Sequence, residues 1–155
     1  MFIDYNLRVS ENQAVTTTIE STNTIDLGVA RELGEGNALE FHITPTATVT
    51  AAGAATVTFE VIGATNAALN AGVVVLGKSE AIAKSALAAS VALNGVPATP
   101  IVVAFNPFIT SLGARYLGVR YTIGNGPLSA GTFTADLVVN LQGNRKHYPS
   151  GVTIS

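Results

Sequence analysis

The chain of 155 residues contains no cysteine and no tryptophan, and only 12% of its residues are charged. Without cysteine, a disulfide framework, a thiolate metal site and a cysteine nucleophile are all excluded. The formal net charge is −2, so the chain lacks the excess of basic residues that is typical of a nucleic-acid-binding protein. At this length we expect one domain with a hydrophobic core of useful size.

Side chains that commonly carry catalysis or hold metals are scarce. The chain has two histidines, His42 and His147, and no serine lies in the G-x-S-x-G pattern of a nucleophile elbow. Glu40 and His42 share one face of a predicted strand, but a cupin-like site would need further histidines, so we expect both on the wet face of an edge strand. The acidic residues are scattered singly and predict no carboxylate pair. The sequence therefore predicts no enzyme, no metal and no cofactor.

Neither a signal peptide nor a membrane-spanning segment is predicted. The first six residues have no basic region and no apolar run. The chain is uncharged between Lys84 and Arg115, but Pro97 and Pro100 would interrupt a helix there. We expect two short strands joined by turns in this stretch.

Alternation of apolar and polar residues is the strongest pattern in the chain. It runs through four stretches, which are Leu39–Ile43, Val57–Val61, Leu117–Ile123 and Phe133–Val139. Such strands bury one face, as antiparallel sheets do, and the turn-forming residues between them predict a sandwich or barrel. The continuous apolar runs Val73–Leu76 and Ile101–Phe105 predict central strands covered on both faces. Residues 79–93 are ambiguous between helix and strand.

The two ends of the chain differ from its middle. We expect a single domain over residues 1–155, with an N-terminal arm (1–23) and a C-terminal tail (143–155) around a core (24–142). The tail contains the one local cluster of positive charge, Arg145 and Lys146. Because depletion of charge marks the cores of interfaces, the low overall charge favours a component of an assembly.

Six segments resemble one protein family. They are QAVTTT (13–18), STNTIDLG (21–28), GEGNAL (34–39), RYLGVRY (115–121), AGT (130–132) and YPSGVTI (148–154). In this order they resemble the small capsid cement, or decoration, proteins of tailed bacteriophages, of the Bordetella-phage type. The resemblance covers nearly the whole chain and is weakest over residues 64–100.

The resemblance implies a jelly-roll β-sandwich with extended N- and C-terminal arms on the outside of an icosahedral head. Expected partners are the major capsid protein of an HK97-like shell and further copies of the chain, as a dimer or trimer. No nucleic acid, membrane or small-molecule substrate is expected, and the protein would be made in the host cytoplasm. An extended arm can add a strand to a neighbour's sheet, so the expected contact residues lie in the two arms: Tyr5, Arg8, Gln13, Arg145, Lys146 and Tyr148.

A second function stays open at this point. The chain could be a carbohydrate-binding jelly-roll module of a phage head fibre or receptor-binding protein. Sugar sites favour exposed tryptophan and tyrosine, and the chain has no tryptophan and four tyrosines, which disfavours this function.

Overall fold

The structure, a computed structural model, describes residues 4–31, 33, 39–89, 100–106 and 113–139. Ten strands are found there: β1 (Arg8–Ala14), β2 (Ile19–Glu20), β3 (Ile25–Asp26), β4 (Leu39–Thr50), β5 (Thr56–Ala64), β6 (Val74–Lys78), β7 (Ile82–Ala83), β8 (Ile101–Ala104), β9 (Tyr116–Gly124) and β10 (Ala130–Val139). Two 3₁₀ turns accompany them, Tyr5–Leu7 and Lys84–Ala86. Within these ranges, no helix has the length and apolar character needed to cross a membrane.

The strands form two antiparallel sheets that pack face to face. Sheet A has the order β1-β10-β4-β8, and sheet B has the order β2-β9-β5-β6, with β3 beside β9 and β7 beside β5. The chain passes from one sheet to the other after β1, β3, β4, β7, β8 and β9. When the two-residue strands β3 and β7 are set aside, each sheet has four strands, and their order is the jelly-roll arrangement. The predicted all-β sandwich is confirmed.

The core lies between the sheets and is built from the alternating positions that the sequence marks. Phe41, Phe59, Tyr121 and Phe133 are all fully buried. The Phe59 ring lies 5.9 Å from the Tyr121 ring and 5.3 Å from the Phe133 ring, both in edge-to-face geometry. Edge-to-face pairs add to the stabilisation that aromatic burial already supplies, so this cluster ties β5, β9 and β10 together.

The N-terminal segment differs from the arm that was expected. β1 pairs with β10 from Arg8 opposite Asp136 to Ala14 opposite Thr132, and residues 19–20 pair with β9. Val9 and Val15 are fully buried in the main core. Because these side chains complete the inner face of sheet A, residues 8–20 belong to the sandwich and not to a separate arm. The predicted tail, residues 143–155, lies outside the described residues.

The two continuous apolar runs are edge strands, so the prediction of central strands is wrong. Val75 of β6 is 43% exposed and Val102 of β8 is 47% exposed. The rim between these two strands is closed by a backbone hydrogen bond, in which Asn106 N donates to Leu76 O at 3.1 Å. Gly77 of β6 also lies directly against the Ala104 carbonyl of β8. Short, closed edges of this kind limit unwanted pairing with other chains.

The loop after β5 folds back over the outer face of sheet B. Leu69, with a positive φ of 55°, is 1% exposed and packs beside Ile62 and Gly118. The Asn66 side chain accepts hydrogen bonds from two amides further along the loop, at 3.2 and 3.1 Å. These bonds and the anchoring of Leu69 fix the loop, which also carries Ala67 at one end of the sandwich.

Candidate functional site

An open groove of about 510 Å³ lies at the end of the sandwich where β1 begins and β10 ends. Its lining is mostly polar and comprises Tyr5, Asn6, Arg8, Thr22, Asn23 and Thr24, together with Ala67 of the loop after β5. The groove brings together Tyr5 and Arg8, two of the residues that the sequence predicts as partner contacts. Its size falls within the range of ligand-binding clefts.

A short N-terminal turn places Tyr5 at the mouth of the groove. Asp4 begins the turn, and its Oδ1 accepts a hydrogen bond from Asn6 N at 3.0 Å. An aspartate in this position satisfies an amide that has no partner in the first turn. The cap directs the Tyr5 ring outward, where the residue is 68% exposed.

Arg8 connects this turn to the sheet. Its Nε donates to Asp136 Oδ1 at 2.8 Å, and a second nitrogen donates to Glu11 Oε1 at 3.1 Å. The bond to Asp136 is the main cause that raises the pKa of the guanidinium above its ordinary value. Glu11 Oε2 accepts from the Tyr5 hydroxyl at 3.2 Å, and the Arg8 guanidinium lies 5.7 Å from the Tyr5 ring centroid. These four side chains form one connected unit, which we name the Tyr5 frame.

The opposite wall of the groove is fixed to β1 by backbone and amide hydrogen bonds. Asn23 N donates to Val9 O at 2.8 Å. Thr22 N donates to Gln13 Oε1 at 3.0 Å, and Gln13 Nε2 donates to Glu20 O at 2.7 Å. Both walls are therefore held by the same strand, which sets the width of the groove.

Comparison with known proteins decides the family. The model of the Bbp16 family matches residues 9–137, which is most of the chain. The chain belongs to the Bbp16 family. Bbp16 is a family of Bordetella phage proteins, so the resemblance given by the sequence segments is confirmed, and membership points to a structural protein of the phage particle. No curated protein matches the chain.

The Bbp16 match extends from β1 to β10 and includes most of the groove. Asn23 and Asp136 lie inside the matched range, whereas Tyr5 and Arg8 precede it. The sequence pointed to Tyr5 and Arg8 but not to the wall of residues 22–24, because that wall reaches the groove through tertiary contacts. One local signal was present, since Asp4 followed by a short turn is a helix-capping pattern.

Gln13, a third predicted contact, has a different role in this Bbp16-family fold. The residue is 6% exposed, and its side chain bonds to Ser10, Thr22 and Glu20. These bonds join β1 to the wall of the groove and leave no face for a partner. The predicted contact role of Gln13 is therefore replaced by a structural one. Arg145, Lys146 and Tyr148 lie outside the described residues.

A second arginine–tyrosine pair lies near the start of β9. Arg115 makes two hydrogen bonds of 2.7 Å to the Asp26 carboxylate, and its guanidinium is 5.0 Å from the Tyr116 ring centroid. The Arg115 guanidinium, followed by the Gly28 amide, lowers the pKa of Asp26 to about 2. This pair fastens β3 to β9. On the same strand, Arg120 bonds to Glu60 of β5 at 2.7 Å.

Glu40 and His42 do not form the wet face of an edge strand. β4 lies between β10 and β8, so it is a central strand, and His42 is 6% exposed. Its Nε2 is 3.6 Å from Glu40 Oε2, and neither ring nitrogen has a hydrogen-bond partner among the residues that the structure describes. Within the described ranges, no group of three or more metal-binding side chains is assembled.

Proposed function

We propose that this Bbp16-family protein is a capsid cement protein. It binds the outer surface of an icosahedral phage head, bridges neighbouring subunits of the major capsid protein and catalyses no reaction. Family membership carries the proposal. The jelly roll supports it by offering a rigid body with a preformed groove at one end.

The proposed mechanism is stabilisation by preferential binding. A protein that binds the assembled shell but not free subunits stabilises the shell by an amount that grows with the logarithm of its occupancy. If it acts as a dimer or trimer, each further contact forms at high effective concentration, so the avidity rises by about 100-fold or more. No chemical step is needed for this function.

The distribution of charge also favours a surface that meets other chains. Arg8, Arg115 and Arg120 each bond to a carboxylate of the same chain. Internal pairing of this kind lowers the cost of covering these arginines at an interface, because a charged group without a partner is the most costly to bury. Among the residues that the structure describes, many exposed side chains are threonine, asparagine or alanine, which are compatible with close contact.

The test uses heads assembled without this protein from the major capsid protein of the same phage. Purified protein is added, and binding is measured by co-sedimentation and by the midpoint of thermal head disruption. We expect saturable binding and a higher midpoint, and a cryo-EM map of the decorated head should show density across subunit boundaries.

Two results would contradict the proposed function. The first is a protein that stays free of the heads at concentrations well above those used for saturation. The second is a clear hit on one class of glycan in an array without any binding to heads, which would favour the carbohydrate-binding alternative.

A further inference from the structure

The charge balance of the Tyr5 frame is negative. Arg8 is its one cation, and it is shared between Asp136 and Glu11. Asp4 adds a third carboxylate at the base of the same turn. Arg8 is the one charged residue in the lining of the groove, and Asp4 and Glu11 lie beside the lining, at the Tyr5 turn. The positive charge of Arg8 is more than compensated by the carboxylates around it, so the surface around Tyr5 presents a negative potential to an incoming partner.

Tyr5 is positioned before any partner arrives. Its hydroxyl is held by Glu11, and the Arg8 guanidinium lies on the ring. With the residue 68% exposed, much of the ring remains open to solvent. A tyrosine whose orientation is already fixed loses little side-chain entropy on binding, which is the property of an interface hot spot.

The lining of the groove also includes polar side chains that are available to bond to a partner. Within the described residues, the side chains of Asn6, Asn23 and Thr24 make no hydrogen bond to the protein itself. Amide side chains can donate and accept at once, so they match the alternating N–H and C=O groups of an extended polypeptide. A backbone lying along the groove would satisfy both kinds of group.

On the basis of the capsid-cement function proposed above, we propose that this groove binds an extended segment of the major capsid protein that carries a lysine or arginine. The cationic side chain stacks on the open side of Tyr5 and pairs with Asp4 and Glu11. The backbone of the segment bonds to the amide side chains of Asn6 and Asn23. The mouth of the groove thus recognises the cationic side chain, and the rest of the groove recognises the backbone of the segment.

A charged peptide explains these features better than a glycan does. A neutral sugar would use the tyrosine and the amides but would gain nothing from the excess of carboxylates, and an acidic sugar would be repelled by them. A cation gains both from the carboxylates and from the ring, because cation–π contact favours lysine and arginine over aromatic faces.

The test compares two double variants that change the net charge equally. Asp4→Asn with Glu11→Gln removes two charges from beside Tyr5, at the mouth of the groove, and keeps side chains that can cap the turn and bond to Arg8. Glu20→Gln with Glu80→Gln removes two charges from side chains that do not line the groove. We expect the groove variant to lose about tenfold in head affinity at low salt, a gap that closes near 0.5 M salt because of screening, and the control to bind like wild type.

Tyr5 supplies a second, independent comparison. Tyr5→Ala should lower head affinity by about 30-fold, the effect of losing a hot-spot side chain, whereas Tyr5→Phe, which keeps the ring, should stay within about threefold. Urea denaturation of each variant serves as the control for folding. Tyr5 replaced by a photo-crosslinking phenylalanine analogue should then capture a capsid segment that contains lysine or arginine.

The outcomes separate this inference from the proposed function. If wild type binds heads and the groove variants bind equally well, the groove assignment is wrong and the cement function stands. Crosslinking to a second copy of this chain, or glycan binding that Tyr5→Ala abolishes, would also overturn the assignment. If wild type does not bind heads at all, the proposed function itself fails.

Discussion

At the scale of single residues, a buried chain of hydrogen bonds joins the two sheets. The Tyr121 hydroxyl of sheet B donates to Ser10 Oγ of sheet A at 2.8 Å, and Ser10 donates to Gln13 Oε1 at 2.7 Å. Burial raises the pKa of Tyr121 far above its ordinary value. Burial therefore favours the neutral phenol, which is the form that donates to Ser10.

Tyr121→Phe should lower the free energy of unfolding by about 1 to 2 kcal/mol, because it leaves the buried Ser10 hydroxyl without its donor. The measurement is urea denaturation, with an unchanged dependence on denaturant. Tyr5→Phe is the matched control, since it removes an exposed hydroxyl bond and should cost less than about 0.5 kcal/mol. Equal losses for the two variants would show that the buried bond contributes nothing special.

Replacement of His42 should raise the free energy of unfolding, whereas replacement of Tyr121 lowers it. Two buried ring nitrogens without partners carry a desolvation cost that a hydrocarbon side chain avoids. His42→Val keeps a similar volume and suits a central strand, so we expect the free energy of unfolding to rise by about 1 kcal/mol. A marked loss of stability on thermal denaturation would mean that a nitrogen of His42 has a partner.

At the scale of elements, alternation in the sequence was enough to find the long strands and their inward faces. Phe41, Phe59 and Phe133 all lie where the period of two places them. The same pattern could not reveal which strands are neighbours. His42 was assigned to the correct outer face of β4, but its burial depends on β10 and β8 lying on either side, and these pairings join residues far apart in the chain.

For a related reason, the sequence did not show that β6 and β8 are edge strands. Continuous apolar runs usually indicate strands covered on both faces, but β6 and β8 are apolar because they close the rim of the sandwich. Their contact requires a glycine: a Cβ at Gly77 would meet the Ala104 carbonyl. The glycine is visible in the sequence, whereas the strand that it faces is not.

Gly77→Ala should therefore force β6 and β8 apart and lower the free energy of unfolding by about 1 to 3 kcal/mol. Gly53→Ala is the control, because the nearest atom to its added Cβ is at 3.7 Å, an ordinary contact distance. Chemical denaturation of both variants measures the difference. Comparable stability for the two would contradict the close packing of this rim.

The Asp26–Arg115 pair makes the attachment of β3 dependent on pH. The pKa of Asp26 is lowered from 3.8 to about 2 in the folded protein, so folding favours the ionised carboxylate. This stabilisation is fully present above about pH 4 and is lost as the pH falls through about 2. Stability measured from pH 5 to pH 2 should fall less in Asp26→Asn than in wild type; parallel curves would rule out this contribution.

At the scale of the whole molecule, the first and last described strands lie side by side. β1 covers one edge of β10, and Val9 within β1 and Val15 directly after it are fully buried. From the sequence we expected residues 1–23 to form an arm outside the core, because their pattern of apolar and polar residues is weak. The prediction missed the pairing of β1 with β10, because a pattern within one segment does not show which distant strand that segment pairs with.

Deletion of residues 1–15 should therefore unfold the protein and not merely release it from the head. Circular dichroism and amide exchange should show loss of the β-sheet signal, because the deletion removes β1 and exposes the apolar face of sheet A. Tyr5→Ala, which leaves β1 intact, should retain the fold. A well-folded deletion variant would restore the view of this segment as an arm.

The pairing of β1 with β10 also constrains when the protein can complete its fold. β10 occupies the place between β1 and β4, so sheet A stays interrupted until residues 130–139 have been synthesised and have left the ribosome. At about 5 to 20 residues per second, the nascent chain exposes the unpaired inner sides of both strands for several seconds. Ribosome-bound chains that stop short of β10 should accordingly be sensitive to protease and should recruit chaperones, whereas released full-length chains should resist digestion.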